Sequence, residues 1–324
     1  GAFSQGGNVG VTVGSHATRE VDADKSGSSG KFNYYLNGSF LQNDLGIENP
    51  TPDYDALHDK TSQSKGFGYL SYLLNNQTRL SLIGGTANNN FEIPNIPGLS
   101  PGYTYAGVPN YPSAHIDDNQ QESTHYGILA LQGTAGTQFS YQVALFSRYS
   151  SVDYSPDTVG DLMYTGVASA SSRTALANGL QADSSYVLND SHTLRTGLFI
   201  SREALTNNND ITTFPADSAG NQTSSSPIQF TDDSAKLAFL YGAYVQDEWK
   251  ATRKLTLNYG LRFDQVDAYV SGNQVSPRLG AVYQLTPSTT LHAGYARYFT
   301  PPPTELISQE TVNLFANTTN AALS

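Results

Sequence analysis

The sequence predicts an all-β fold, a transmembrane antiparallel up-and-down β-barrel, on three observations. Apolar and polar residues alternate with period 2 along most of the chain. The links between the alternating runs switch regularly between short and long. Charge has been exchanged for Asn, Gln, Ser, Thr and Tyr with no gain in aliphatic bulk. Of 324 residues, 38% are hydrophobic and 14% charged, against about 45–50% (counting glycine) and about 25% in soluble domains.

The clearest alternation runs from Lys254 to Asp264. Leu255, Leu257, Tyr259, Leu261 and Phe263 share one face, and Thr256, Asn258, Gly260, Arg262 and Asp264 the other. Successive strand side chains point to opposite faces, so this strand has one apolar and one polar side. The pattern recurs where Phe139, Tyr141, Val143 and Leu145 oppose Gln138, Ser140, Gln142 and Arg148. It recurs again where Phe32, Tyr34, Leu36 and Phe40 oppose Asn33, Tyr35, Asn37 and Ser39, and where Leu279, Ala281, Tyr283 and Leu285 oppose Arg278, Gly280 and Gln284.

Twelve strands result, at about 6–22, 30–44, 64–75, 77–92, 120–134, 137–152, 173–188, 191–205, 236–250, 254–269, 276–286 and 289–300. Short turns fall at Asp24–Ser29, Asn75–Asn76, Thr134–Gly136, Asn189–Asp190, Ala251–Arg253 and Pro287–Ser288. The intervening links cover 45–63, 93–119, 153–172, 206–235, a shorter 270–275, and 301 onward. Membrane barrels sort their connections this way, with short periplasmic turns and longer extracellular loops. Odd-numbered strands are expected to run toward the periplasm. The predicted strands exceed the roughly 9–11 residues that cross a bilayer. Aromatics such as Trp249, Tyr259 and Phe299 sit near strand ends, as interfacial girdles do. A soluble sandwich also alternates but does not need loops sorted by length.

Other classes are excluded by composition. Without cysteine there is no disulfide framework, no Cys-ligated metal and no thiol nucleophile. A net charge of -11 and a pI near 4.8 lack the basic footprint of a nucleic-acid binder. No run approaches the roughly 20 apolar residues of a transmembrane helix. Gly1–Gly10 carries neither the basic nor the apolar region of a signal peptide, so the chain is expected to be mature or a fragment.

Candidate sites follow from the loops and the polar faces. In 93–119, Tyr103, Tyr105, Tyr111 and His115 offer flat apolar surfaces with polar tips, suited to a catecholate, haem-like or sugar ligand. The plainer reading is that these tyrosines pin a long loop. Gln246, Glu248, Asn258, Arg262, Asp264 and Arg278 share the polar faces of three consecutive strands and are expected to face the lumen. They either present hydrogen bonds to something inside or satisfy one another as a ladder of cross-strand Glu–Arg pairs.

The six histidines have no ligand spacing, and neither Asp53, Asp55 and Asp59 nor Asp232 and Asp233 match a calcium loop, so no metal and no cofactor is expected. Catalysis is not expected either. His292 would be the natural base of a hydrolase, but its alternation places it on the inner face with Gly294 and Tyr298. No Gly-x-Ser-x-Gly elbow is present.

Specific phrases resemble a family. Asn43-Asp44-Leu45-Gly46-Ile47-Glu48-Asn49-Pro50-Thr51-Pro52 is similar to the first extracellular loop of TonB-dependent receptors of Gram-negative bacteria. Val245-Gln246-Asp247-Glu248-Trp249-Lys250 followed by Leu255–Asp264 resembles their mid-barrel hairpin. Ser276-Pro277-Arg278-Leu279-Gly280, with Leu291–Ala296 and Tyr298-Phe299-Thr300-Pro301-Pro302, resembles the next hairpin. The resemblance implies a 22-stranded barrel in the outer membrane, filled by a plug domain. It implies import of a scarce small molecule, such as an iron–siderophore, with energy relayed by TonB.

The resemblance also implies incompleteness. Gly1-Ala2-Phe3 resembles the point where plug becomes barrel, and Asn317–Ser324 reads as loop. Residues 1–324 are therefore expected to be a single incomplete β-barrel domain, about the first half, lacking the plug and the C-terminal strands. An open sheet leaves unpaired edges that lipid does not tolerate, so the chain must close on itself or be completed. The rival expectation is a self-contained twelve-stranded porin or lipid hydrolase. A third is a secreted adhesive β-protein, soluble without detergent.

Overall fold

A computed structural model describes residues 3–45, 47, 49–300 and 313–321. Among the described residues, fourteen strands form one antiparallel sheet. They are β1 Gly6–Val13, β2 Arg19–Ser29, β3 Phe32–Asn43, β4 Thr61–Leu73, β5 Thr78–Glu92, β6 Asn119–Ala135, β7 Phe139–Ser155, β8 Val167–Val187, β9 His192–Thr213, β10 Ile228–Thr231, β11 Ser234–Lys250, β12 Leu255–Asp267, β13 Gly272–Thr286 and β14 Thr289–Ala296. A short helix, α1 (Thr158–Tyr164), joins β7 to β8. Among the described residues no helix is long and apolar enough to cross a membrane.

Each strand pairs with its sequence neighbour, except that β9 pairs with both β10 and β11. β10 and β11 lie end to end along β9, joined across Asp232, whose backbone exchanges hydrogen bonds with Asn209 at 2.9 and 3.2 Å. Among the described residues β1 and β14 do not pair, so the sheet is open and the self-contained closed barrel is not formed.

The twelve-strand expectation is corrected in two places. The single strand at 6–22 is two strands. The chain reverses at Gly14–Thr18, where Gly14 N–H donates to the Thr18 carbonyl at 3.0 Å and His16 and Ala17 take positive φ of 52° and 51°. Alternation does not mark this hairpin, because its positive φ falls on His16 and Ala17, which are not typical turn formers. The expected turn at Asp24–Ser29 is instead the second half of β2, and the reversal falls at Gly30, whose φ of 58° is readily taken only by glycine. β1 therefore runs out from the short-turn end and β2 runs back, so the odd-strand rule fails at the first strand. The second correction is β10, which lies inside the expected 206–235 link; β9 also extends to Thr213.

Register explains why the sheet has two distinct faces. One hydrogen-bonded row passes through Tyr34, Leu70, Leu82, Leu129, Leu145, Leu180, Ile200 and Tyr241, one residue per strand. Leu82, Leu145 and Leu261 are about half exposed, which is the proper state for side chains whose solvent is lipid. Toward the long-loop end the same face turns polar, through the row Ser64, Asn88, Ser123 and Ser151. Toward the short turns it becomes aromatic. Phe32 stacks on Tyr34 at 6.1 Å, Phe139 on Tyr141 at 5.8 Å, and Trp249, Tyr259 and Tyr283 follow. Tyr and Trp prefer the headgroup level, so this girdle marks one membrane boundary.

The largest buried side chains lie outside this band, at the long-loop end. Phe214, Leu162 and Ala168 form a small core there. Residues 313–321 return over it. Thr319 N–H donates to the Phe214 carbonyl at 3.0 Å, Thr318 bridges Pro215, and Phe315 meets Phe230 edge-on at 5.7 Å. The expected loop at Asn317–Ser324 is turn and bridge as far as Ala321. Gly1 and Ala2, Gly46 and Glu48 of the quoted first-loop phrase, Pro301 and Pro302, and residues 322–324 lie outside the described residues.

Candidate functional site

Two regions carry polar chemistry: the mouth at the long-loop end and the polar inner wall. At the mouth, the 93–118 link folds back on α1. Asp157 is the helix N-cap, its Oδ1 accepting from Val159 N–H at 3.1 Å and Gly160 N–H at 3.0 Å. These satisfy donors that a helix start otherwise leaves unpaired. The other oxygen of Asp157 accepts from the Tyr111 hydroxyl and from Asp117 N–H at 3.2 Å. The Tyr164 hydroxyl, at the far end of the same helix, donates to the Tyr111 carbonyl at 2.7 Å.

The four loop candidates are therefore separated by the fold. Tyr103 and Tyr105 pack their rings on Phe214, at 6.2 and 6.0 Å between centroids. Tyr111 is tied to Asp157, and burial followed by that carboxylate raises its hydroxyl pKa. His115 is exposed and edge-on to Tyr111 at 6.4 Å. The pinning use of the tyrosines is thus present in the structure, and His115 is left facing solvent.

Asp118 and Asp161 are buried beside this junction. Asp118 accepts from Asp157 N–H at 2.6 Å. Burial, then the neighbouring Asp118 charge, pushes the Asp161 carboxyl up to about 7; burial also raises Asp118. Among the described residues no group of three or more carboxylates or imidazoles is arranged to hold a metal ion.

On the inner wall, register places Gln246, Glu248, Asn258, Arg262, Asp264 and Arg278 all on the face opposite the apolar rows. Gln246, Gly260 and Arg278 lie in one row, and Glu248, Asn258 and Gly280 in the next. Arg262 is satisfied within its own strand, its Nε reaching both oxygens of Asp264 at 2.8 and 2.9 Å. Glu248 accepts from Arg195 of β9 at 3.0 Å, a diagonal cross-strand pair. Gln246, Asn258 and Arg278 line a cavity of about 360 Å³ that opens toward Tyr298, with the Arg278 guanidinium 5.9 Å from that ring. The side-chain amides of Gln246 and Asn258 make no hydrogen bond with a described residue, so they are available to whatever occupies the interior. His292 also falls on this inner face, opposite Val282 and away from lipid.

The sequence reading missed several members of both regions. Arg195, Asp183 and Tyr244 complete the inner wall. The Tyr244 hydroxyl donates to Asp183 at 2.9 Å across Gly197, where any Cβ would run into the Tyr244 ring. Together with Arg79, Gln132 and Gln142 they line a cavity of about 550 Å³ near the short turns. Their alternation was visible, but the pairing of β8, β9 and β11 that brings them together was not. At the mouth, Asp157 was missed although an Asp one residue before a short run free of Pro is an N-cap signal.

Comparison with known proteins adds a family. The family model described as "TonB dependent receptor-like, beta-barrel" matches residues 13–323. The TonB-dependent transporter Oar of Myxococcus xanthus is 30% identical over 95 residues, covering 26% of this chain and 9% of that protein. Among solved structures, FpvA of P. aeruginosa bound to heterologous pyoverdines superposes with a TM-score of 0.67 at 16% identity, over 94% of this chain and 43% of that one. The ferric yersiniabactin uptake receptor FyuA of Yersinia pestis gives 0.63 at 13% identity, over 88% and 45%. The chain thus spans less than half the length of these relatives.

Proposed function

The chain belongs to the TonB-dependent receptor-like β-barrel family and lies in the outer membrane of a Gram-negative cell; on that premise we propose that it forms the leading part of the wall and mouth of an energy-coupled importer. In this reading further strands complete the barrel across the open edges at β1 and β14, and a plug domain fills it. TonB supplies the drive from the periplasm. The ligand is a scarce small molecule of the iron–siderophore kind, met first at the mouth. The structural relatives FpvA and FyuA are a pyoverdine-bound protein and a yersiniabactin uptake receptor, and that supports this ligand class.

The observation that carries the reading is the two-faced sheet itself. Its outer rows are apolar, and among the described residues its inner rows keep unpaired side-chain amides at Gln246 and Asn258. A lipid hydrolase of this kind needs a base on the outer face; His292 is on the inner one. The matched family is one of receptors, and the chain is read here as part of an importer.

The test uses the full-length gene product in iron-starved cells, with uptake of ⁵⁵Fe from a panel of ferric siderophores. Uptake should saturate with ligand and vanish when TonB is deleted. Uptake that persists without TonB, or a steady ungated conductance in planar bilayers, would overturn the importer in favour of a porin.

A further inference from the structure

Among the described residues the outward apolar band of the sheet contains one ion pair, and transport does not call for it. His192 opens β9, Asp247 and Trp249 lie on the outward row of β11, and Tyr259 on that of β12. Register sets Trp249 beside His192, and Asp247 between Leu194 and Tyr259. The Asp247 Oδ2 is 2.7 Å from His192 Nδ1 and accepts from the Tyr259 hydroxyl, also at 2.7 Å. The imidazole lies flat against Trp249, 5.7 Å between centroids with 9° between planes. The Asp247 side chain is only 12% exposed, whereas His192 is 32% exposed and its Nε2 makes no hydrogen bond with a described residue.

A carboxylate placed among lipid-facing residues is costly unless paired. The partner within reach of that carboxylate is the His192 ring, through Nδ1. With Nδ1 engaged by Asp247, Nε2 is the ring's second polar atom, directed away from the pair. Trp249 and Tyr259 fix its height, because both belong to the girdle that marks the headgroup level. Directly beyond lies the short turn Ala251–Lys254, which carries Arg253 and Lys254. A donor at that depth, next to a basic turn and flanked by aromatic rings, suits a phosphodiester.

The geometry points to a phospholipid-headgroup site on the outer wall, in the leaflet facing the short turns, where His192 Nε2–H donates to the lipid phosphate, Asp247 orients the ring through Nδ1, and Trp249 supports it. The ligand chemistry is a phosphate monoanion, and the source assigned is a membrane glycerophospholipid. This inference needs the sheet to span a membrane and does not depend on what is transported.

The experiment uses the full-length gene product, delipidated in a neutral maltoside detergent and titrated with phosphatidylglycerol, with bound lipid counted by native mass spectrometry. His192→Asn keeps an amide where Nδ1 stands but has nothing at Nε2; His192→Gln restores a donor near Nε2. Wild type should hold a phospholipid that His192→Asn retains at least tenfold more weakly and that His192→Gln partly recovers. Trp249→Phe provides a second variant that keeps the polar groups and should weaken retention by a smaller factor. Equal retention by wild type and His192→Asn overturns the site. Displacement of the lipid by millimolar inorganic phosphate overturns the lipid as its source.

Discussion

The backbone N–H of Asp157 donates to the Asp118 carboxylate across 2.6 Å, and that bond ties the end of the 93–118 link to the first turn of α1. It joins two connections that are distant in sequence and belong to different hairpins. The same junction holds Asp161, a buried carboxyl facing Asp118, so it is sensitive to protons.

The sign of that sensitivity follows from the raised pKa values. Asp161 is pushed up to about 7 and Asp118 is also raised, each chiefly by burial. A carboxyl that binds its proton more tightly folded than unfolded stabilises the fold fully below its unfolded pKa, near 4, and that contribution is lost as pH rises through about 7. Amide exchange in 157–165 should therefore speed up between pH 5 and pH 8 beyond the intrinsic rate. In Asp161→Asn the extra acceleration should disappear; if it persists, the carboxyl pair is not its origin.

Tyr111→Phe removes the hydroxyl from Asp157 and leaves the ring in place. Hydrogen bonds to charged groups contribute about 1.5–3 kcal/mol, at the low end where water can replace them. Limited proteolysis should show cleavage in 93–118 several-fold faster than in wild type, with the barrel wall still resistant. Tyr164→Phe, which loses the 2.7 Å bond to the Tyr111 carbonyl, should act in the same direction and more weakly.

On the outer face, Leu261 is 53% exposed in the middle of its strand. Arginine at the bilayer midplane costs about 2–4 kcal/mol in a membrane barrel. Leu261→Arg should lower the folded fraction in a urea titration from lipid vesicles by an amount in that range. Its strand neighbour on the opposite face gives the contrast: Arg262→Gln should change stability by less than Leu261→Arg, because its loss leaves Asp264 facing the polar interior.

Gly197 carries a packing constraint that can be tested separately. A Cβ there would meet the Tyr244 ring and the Asp183 carboxylate. Gly197→Val should displace Tyr244, break its 2.9 Å bond to Asp183 and lower the yield of heat-resistant folded protein on a semi-native gel. Pairing it with Tyr244→Ala should recover part of the loss. No recovery would mean that the backbone of β9, not the ring, is the obstacle.

Most of the wall was legible in the sequence because the two-residue period of a strand is written directly into which residues are apolar. The faces of 32–41, 138–148 and 254–264 could be assigned residue by residue, and so could the inward direction of His292. What alternation cannot report is where a strand stops being in lipid and where it turns. The hairpin at Gly14–Thr18 was hidden because His16 and Ala17, not glycines, take its positive φ. The inner pairs Arg195–Glu248 and Tyr244–Asp183 depend on register between strands far apart in sequence. At the mouth, the tyrosines were recognised, but Phe214, the ring they pack on, sits over 100 residues downstream in a stretch that reads as polar loop.

The Thr319 hydroxyl donates to the carbonyl of Gly166 at 3.2 Å, between residues 153 apart. Every strand pairing beside it can form as soon as two successive hairpin arms emerge, but this contact cannot. The mouth therefore has a timetable of its own. Its fastening needs the stretch after β14 in place, whereas each pairing in the wall beneath it joins neighbouring strands. A chain without that stretch would keep its strand pairings under an unlatched mouth.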